Sequence, residues 1–305
     1  MPDRTSDIDA ADSGDKSPAY RGRFAPSPSG PLHFGSMLAA VGSYLQARSH
    51  EGRWLVRIED IDPPREVPGA AQNQIETLVR FGLQADQPPL YQSASAAQHR
   101  AALTRLLDAG HAFPCGCTRR DLPTSGIYPG TCRNGLPPGR SARSIRFRIG
   151  DQPERFVDRI HGARSVDLTQ ECGDFVICRG DGLIAYQLAV VVDDLAAGIT
   201  EVVRGADLLD SSARQQALYR ALGAEPPQWV HLPLVVDRSG AKLSKSGGSD
   251  PVSTRSPATT LRLLLTALGH PPPSAARSLD ALWAWAIANW DLARVPREPF
   301  EVEGR

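Results

Sequence analysis

Three cysteines crowd into CGCTRRDLPTSGIYPGTC, residues 115 to 132: Cys115, Cys117 and Cys132, out of five in the chain. Three thiolates at such short spacing point to a soft or borderline metal, above all zinc, which takes four ligands. On ligand preference alone the fourth is His111 or Asp121. A second constellation is PSPSGPLHFGS, residues 26 to 36. A Gly- and Pro-rich turn ahead of a helix N-terminus offers free backbone N–H groups and a positive helix end, which suit a phosphate. His33 stands where it can donate to a phosphate oxygen, and Gly35 lets a nucleotide approach the backbone. A third is KLSKS, residues 242 to 246, in a Gly- and Ser-rich loop. Of 34 basic residues only three are Lys, and two of them are Lys242 and Lys245. A chain that uses Arg elsewhere places two compact ammonium groups here. On a loop they can close over a triphosphate and stabilise charge that develops on it.

The elements that must position these groups read as an α/β pattern. RGRFAPS, residues 21 to 27, is a short strand running into the Pro/Gly turn. A helix follows from about Ser36 to His50, with Leu38, Val41 and Leu45 at helical spacing and Gly52 as a stop. RWLVRIED is then a buried strand, which completes a βαβ unit. Helices are predicted near 69 to 81, 94 to 109 and 210 to 222. WVHLPLVVD is a buried strand that delivers the chain to KLSKS. Residues 111 to 170 differ in character, being rich in Pro, Gly and Arg, and read as an insertion. The domain reading is a disordered polar tail over 1–19 and a first catalytic half over 20–110. The Arg-rich metal-binding insertion, 111–170, precedes a second catalytic half over 171–250. A small helical subdomain, 251–305, carries Trp283, Trp285 and Trp290.

Composition narrows the class. With 41% hydrophobic residues a sizeable core is available, and no apolar run approaches the ~20 residues of a membrane span. No secretory signal is visible, so a reducing, cytoplasmic setting is expected, where cysteines bind metals rather than pair. Cys172 and Cys178 read as core thiols. Net charge is +0, but residues 115 to 165 hold ten Arg against four Asp or Glu and no Lys. That local excess is a candidate phosphate-backbone face.

Taken together, the motifs resemble the class I aminoacyl-tRNA synthetases of the glutamyl type. RFAPSPSGPLHFGS is similar to that family's first signature, and KLSKS to its second. LVRIEDIDPPR, DGLIAYQLAVVVDD and VVRGADLL match in order, so the resemblance covers roughly residues 20 to 247. It implies a Rossmann-type catalytic domain, ATP with Mg2+, L-glutamate, and formation of a glutamyl-adenylate. The catalytic residues it implies are His33, Lys242 and Lys245, with His33, Gly35, Ser36 and Lys245 at the ATP. The glutamate site is implied at Arg23, Phe24, Ala25, Pro26, Ser27, Glu59, Tyr186 and Arg204. The chemistry agrees: two Arg can clamp carboxylates with bidentate geometry, a Glu can take the ammonium, and a Tyr can add a directional hydrogen bond. Departures are Phe34 and Ser36 inside the first signature and Val190 where Asn is common.

About 58 residues follow KLSKS, too few for an anticodon-binding domain. A shortened glutamyl-type chain with a cysteine cluster resembles the glutamyl-Q tRNA(Asp) synthetases. That resemblance implies transfer of glutamate to queuosine in the anticodon of tRNA(Asp), and activation without tRNA. It also points to Tyr128 as the fourth ligand of a structural zinc held by Cys115, Cys117 and Cys132. The alternatives are a minimal glutamyl-tRNA synthetase charging a 3′ end, a non-catalytic tRNA-binding relic, and a small-molecule adenylylating ligase. No obligate protein partner is inferred.

Overall fold

The structure, a computed structural model, describes residues 19–237, 240 and 252–301. KLSKS, with Lys242 and Lys245, lies outside the described residues, as does most of the expected tail. In chain order the first βαβ unit is β1 (Arg21–Phe24), α1 (Phe34–Ser49) and β2 (Arg53–Ile58). It continues through α2 (Ala70–Arg80), β3 (Leu90–Tyr91) and α3 (Ala96–Asp108). The Arg-rich stretch then supplies β4 (Ala112–Cys115), β5 (Ser144–Phe147), β6 (Glu154–Asp158) and β7 (Gly162–Val166). After a single turn, α4 (Leu168–Glu171), come β8 (Val176–Cys178), α5 (Tyr186–Ala196), β9 (Glu201–Gly205) and α6 (Ser211–Ala221). The chain closes with β10 (Gln228–Leu232), β11 (Val235–Val236), α7 (Pro257–Ala267), α8 (Leu279–Asn289) and β12 (Phe300–Glu301).

β1, β2 and β3 form one parallel set, and β9, β10 and β6 a second, with β7 antiparallel on its edge. The two sets meet where the Thr200 N–H donates to the Arg21 carbonyl and the Arg21 N–H to Thr200 Oγ1, both at 3.0 Å. The chain winds outward from β1 to β2 and β3 on one side of this seam, and from β9 to β10 on the other. In an open α/β sheet such a reversal leaves a crevice at the carboxyl ends of the flanking strands, where ligands bind.

α1 lies across the seam. Phe34, Met37, Leu38, Val41 and Leu45 are buried, and so are Ala40, Gly42, Ser43, Gln46 and Ala47, as befits a helix covered on more than one side. α7 and α8 lie against the same helix, with Leu261, Leu264 and Leu265 wholly buried in that one core. Trp283 Nε1 donates to the Phe81 carbonyl at 2.8 Å and Trp290 Nε1 to Gln46 Oε1 at 2.8 Å. The helices expected in 251–305 therefore exist, but they share the core of the first half rather than building their own. A second core under α3, α5 and α6 gathers Leu106, Ile177, Leu188 and Trp229.

Two boundaries differ from the sequence reading. β8 pairs with β5, so the antiparallel sheet β4–β5–β8 runs past residue 170 to Cys178. β6, inside the expected insertion, pairs with β10 and belongs to the central layer. WVHLPLVVD is two strands, because Pro233 lacks the N–H that a continuous ladder needs. Among the described residues no helix is long and apolar enough to cross a membrane.

Candidate active site

At the carboxyl end of β1, Arg23 is 3% exposed and its Nε–H faces both oxygens of Asp194, at 3.1 and 3.2 Å. Among the described residues its two terminal NH2 groups have no hydrogen-bond partner, which leaves a free fork. Asp194, on α5, also accepts from Arg57 Nη1 at 2.6 Å. Arg57 reaches Glu59 Oε1 through Nη2 at 3.2 Å and lies 3.8 Å from Asp193. Asp193 in turn is held by Gln92 Nε2 at 2.7 Å and His99 Nε2 at 2.8 Å. Burial works to raise the Asp194 pKa, but the Arg23 and Arg57 guanidiniums overcome it and hold that carboxylate ionised below its usual range. For Glu59 burial wins over the same two cations, and its pKa is raised. Glu59 is therefore a weakly neutralised buried carboxylate that gains from a further cation.

Arg204, on β9, is held on nearly every side. Its Nε donates to His231 Nε2 at 3.0 Å, Nη1 to Gln215 Oε1 at 2.8 Å, and Nη2 to the Leu208 carbonyl at 3.2 Å and Ser212 Oγ at 2.8 Å. A guanidinium has five N–H groups, so one, on Nη1, stays available. The bidentate grip expected of Arg204 is not offered in this arrangement, whereas Arg23 can offer one. Burial lowers the Arg204 pKa and Arg23 adds to this, while Asp194 and Glu59 oppose it. Tyr186, the first residue of α5, has its pKa raised by burial and feels the charges of Arg204, Glu59, Arg23 and Asp194. These groups thus converge on one place. Phe24 is buried beneath it, Ala25 is half-buried, and the Pro26 carbonyl accepts the Glu59 N–H at 2.9 Å. Ser27 is exposed, with its carbonyl fixed by Gln74 Nε2 at 3.0 Å.

On the other side of the seam His33 caps α1, its Nδ1 accepting from the Ser36 N–H at 3.3 Å. Nδ1 as acceptor puts the ring proton of the neutral imidazole on Nε2. A Cβ added at Gly35 would stand 3.2 Å from the His33 ring, so a side chain there would crowd the cap. His33, Gly35 and Ser36 line a cavity of ≈ 170 Å³ with Gly205, Asp207 and Leu232 at the ends of β9 and β10. A larger cavity, ≈ 490 Å³, lies over α2 and residues 83–89 and is lined by none of the site residues above.

The cysteine cluster closes as the spacing requires. Cys115, Cys117 and Cys132 are buried and their sulfurs lie within 4.8 Å of one another. Zn–S bonds of ~2.3 Å in a tetrahedron put sulfurs ~3.8 Å apart, and Cys117 and Cys132 stand at 3.7 Å. The Tyr128 hydroxyl is 3.4 Å from Cys115 Sγ and accepts the Cys132 N–H at 2.8 Å. His111 and Asp121 are both exposed and outside the cluster, and Asp121 is engaged with Thr118 and Arg140. Tyr128 is brought there by Gly173, whose φ is +65° and where a Cβ would meet the Tyr128 carbonyl oxygen at 2.3 Å. Crowded acids share little negative charge. Cys115 is brought down to about 7 against its burial by Tyr128, the Cys117 amide and Arg146. Cys117 is pushed up to about 11 by burial and its neighbouring sulfurs, and Tyr128 is raised too. The donor set and its spacing fit zinc.

The ten arginines of 115–165 divide evenly. Arg133, Arg140, Arg146, Arg148 and Arg159 hold Asp174, Asp121, Cys115, backbone carbonyls or Glu201. Arg119, Arg120, Arg143, Arg155 and Arg164 are exposed, with no side-chain partner among the described residues.

The family model described as "tRNA synthetases class I (E and Q), catalytic domain" matches residues 19–125 and 133–256. A glutamyl-Q tRNA(Asp) synthetase of Aromatoleum aromaticum is 54% identical over 293 residues, covering 93% of each chain. The chain belongs to the glutamyl-Q tRNA(Asp) synthetase family. Another of these synthetases, from Pseudomonas aeruginosa, is 50% identical over 282 residues, 92% of this chain and 96% of that one. Among solved structures, a glutamate tRNA ligase of Elizabethkingia meningosepticum, in complex with its amino acid, superposes with a TM-score of 0.79 at 27% identity. The alignment covers 92% of this glutamyl-Q-family chain and 66% of the ligase, so the chain spans about two thirds of that longer protein. The glutamate-tRNA synthetase of Elizabethkingia anophelis gives 0.80 at 26% identity, over 93% and 68%.

Sequence reasoning did not single out Arg57, His99, Asp158, His231 or Gln215. Arg57 carried a signal, a charge inside the apolar strand RWLVRI that can be buried only if paired. The rest become visible only through contacts between distant elements.

Proposed function

We propose that the protein activates L-glutamate with ATP as glutamyl-adenylate and transfers it to queuosine in the anticodon of tRNA(Asp). The observation that carries this is the set of buried Arg23, Glu59 and Arg204 with half-buried Tyr186 at the strand-order reversal, in a chain 54% identical to a glutamyl-Q tRNA(Asp) synthetase. The free fork of Arg23 pairs with a substrate carboxylate, and the one free N–H of Arg204 adds a second grip. Glu59 takes the α-ammonium, the further cation its environment favours. Tyr186 donates from its hydroxyl, and the segment Phe24 to Ser27 shapes the wall.

ATP is read into the cavity beside α1. The His33 Nε2–H donates to phosphate, Gly35 and Ser36 supply the helix N-terminus, and Lys245, with Lys242, draws charge onto the leaving pyrophosphate. The α-carboxylate oxygen attacks the α-phosphorus and the bond to the bridging oxygen of pyrophosphate breaks. Mg2+ supplies charge neutralisation at the phosphates. Cys115, Cys117, Cys132 and Tyr128 would hold a zinc that ties the loops of residues 115–132 together, a structural role. Arg119, Arg120, Arg143, Arg155 and Arg164 are free to meet the tRNA backbone.

The test uses two measurements. Glutamate-dependent ATP–pyrophosphate exchange without tRNA is expected, and its absence would favour a non-catalytic tRNA binder. Labelled glutamate is then offered to tRNA(Asp) with and without queuosine, followed by nuclease cleavage. Label on the anticodon fragment of the queuosine form alone is expected. Equal label at both 3′ ends would replace this reading with a minimal glutamyl-tRNA synthetase.

A further inference from the structure

Behind Arg204 lies a buried relay that no substrate touches directly. His231, on β10, stands opposite Arg204 in the parallel register with β9 and is 0% exposed. Its Nε2 faces Arg204 Nε at 3.0 Å, and its Nδ1 faces Asp158 Oδ2 at 2.7 Å. Arginine Nε only donates, so Nε2 carries the lone pair and the proton sits on Nδ1, donated to Asp158. Asp158, 1% exposed at the end of β6, takes the N–H groups of Ile160 and His161 on Oδ1, at 3.0 and 2.7 Å. His161 Nε2 reaches the His231 carbonyl at 3.0 Å.

Ser212 Oγ is 3.3 Å from His231 Nε2, so Ser212, His231 and Asp158 mimic the order of a hydrolytic triad. All three are buried to 1% or less, and Nε2 is already occupied by a guanidinium. The lone pair that would take a serine proton is in use. The arrangement instead orients a cation, as a carboxylate–imidazole pair orients a metal. Burial, with the charge of Arg204, lowers the His231 pKa to about 4, so the ring stays neutral as the geometry requires.

We propose that Asp158 and His231 are positioning residues that aim the single free N–H of Arg204 at the substrate carboxylate. This rests on the reading of Arg204 as a glutamate contact. Through it, amino-acid selectivity depends on β6, a strand of the Arg-rich stretch that also carries Arg155. Arg204 is rotationally fixed at Nε by His231, whereas Gln215 and Ser212 hold its outer nitrogens. Removing the inner anchor leaves the fork, still charged and buried, held from its outer side alone, so its free N–H loses part of its aim.

The experiment is ATP–pyrophosphate exchange on the full chain for His231→Leu, His231→Gln and Asp158→Asn, each checked for its melting temperature. Loss of aim at a charged hydrogen bond corresponds to ~10- to 100-fold. His231→Leu is expected to raise KM for glutamate by that much with KM for ATP unchanged. His231→Gln, whose amide can still accept from Arg204 and donate to Asp158, is expected to recover most of it. Nitrogen-15 NMR of His231 should show a bare Nε2 and a protonated Nδ1, and Asp158→Asn should shift that signal. Folded leucine and glutamine variants with equal KM for glutamate would overturn the proposal, as would a protonated Nε2. If His231→Leu does not fold, Asp158→Asn and the NMR signature decide. Wild-type protein that exchanges with no glutamate dependence would instead overturn the glutamate reading, and this inference with it.

Discussion

Arg57 is the residue whose removal tests the electrostatic account most sharply. It is 3% exposed and donates to Asp194 at 2.6 Å and to Glu59 at 3.2 Å, with Asp193 at 3.8 Å. Arg57→Met keeps much of the volume and deletes the charge. Two hydrogen bonds between charged groups at ~1.5–3 kcal/mol each give ~3–6 kcal/mol, in line with ~3–5 for breaking one side of a buried ion pair. The assay is urea unfolding at pH 8 and pH 5. The sign follows from the carboxylates. Glu59 already has a raised folded-state pKa that rises further without Arg57, and the Asp194 pKa, held below its usual range, rises as one of its two guanidinium partners is lost. A raised carboxylate pKa means the folded state binds protons more tightly than the unfolded one. Stability is then gained as pH falls and lost as pH rises through the folded value. The deficit of Arg57→Met should be largest at pH 8 and narrow at pH 5. A deficit below about 1 kcal/mol at pH 8, or one that widens on acidification, would refute the reasoning.

Further outcomes are expected. Cys117→Ser should abolish zinc measured by elemental analysis, and Tyr128→Phe, which removes the proposed fourth ligand, should weaken it by more than the roughly 10- to 100-fold of a lost supporting contact. Both should leave glutamate exchange in place. Gly173→Ala should cost at least ~1–3 kcal/mol in thermal unfolding, because it combines a positive φ with a contact at 2.3 Å, and should loosen zinc by displacing Tyr128. Alanine at Arg119, Arg120, Arg143, Arg155 or Arg164 should lower the salt slope of tRNA binding by ~1 per phosphate contact, without touching exchange; unchanged slopes throughout would remove the RNA role. Lys245→Ala should slow adenylate formation by ~2.7–4 kcal/mol of barrier if it stabilises developing charge, and near-normal exchange would dismiss it.

What the sequence disclosed was what is local. HFGS reads as a turn into a helix because the cap, His33 to Ser36, spans three residues. The cysteines read as a cluster because a one-residue gap and a short loop leave few other arrangements. The βαβ units are written in apolar periodicity, which a strand or helix carries within itself. The relay behind Arg204 is different in kind. Asp158 meets His231 across 73 residues, and β6 joins β10 through one register pair, Trp229 with Asp158. Nothing in GDQPERFVDRI announces that partner, so the stretch read as insertion. Likewise Gly173 approaches Tyr128 through the fold alone. The equal division of the ten arginines also needed coordinates, since tied and exposed guanidiniums look alike in sequence.

β6 also settles what kind of attachment the Arg-rich stretch has. A module that hangs from two linkers can be trimmed away, transplanted, or swung as a unit. Here one strand of the stretch is hydrogen-bonded into the parallel layer and β8, beyond it, completes the stretch's own sheet. Cutting out residues 111–170 would therefore remove an edge of the catalytic layer and leave β8 unpaired. Any load placed on this surface would pass straight into the parallel layer through β6.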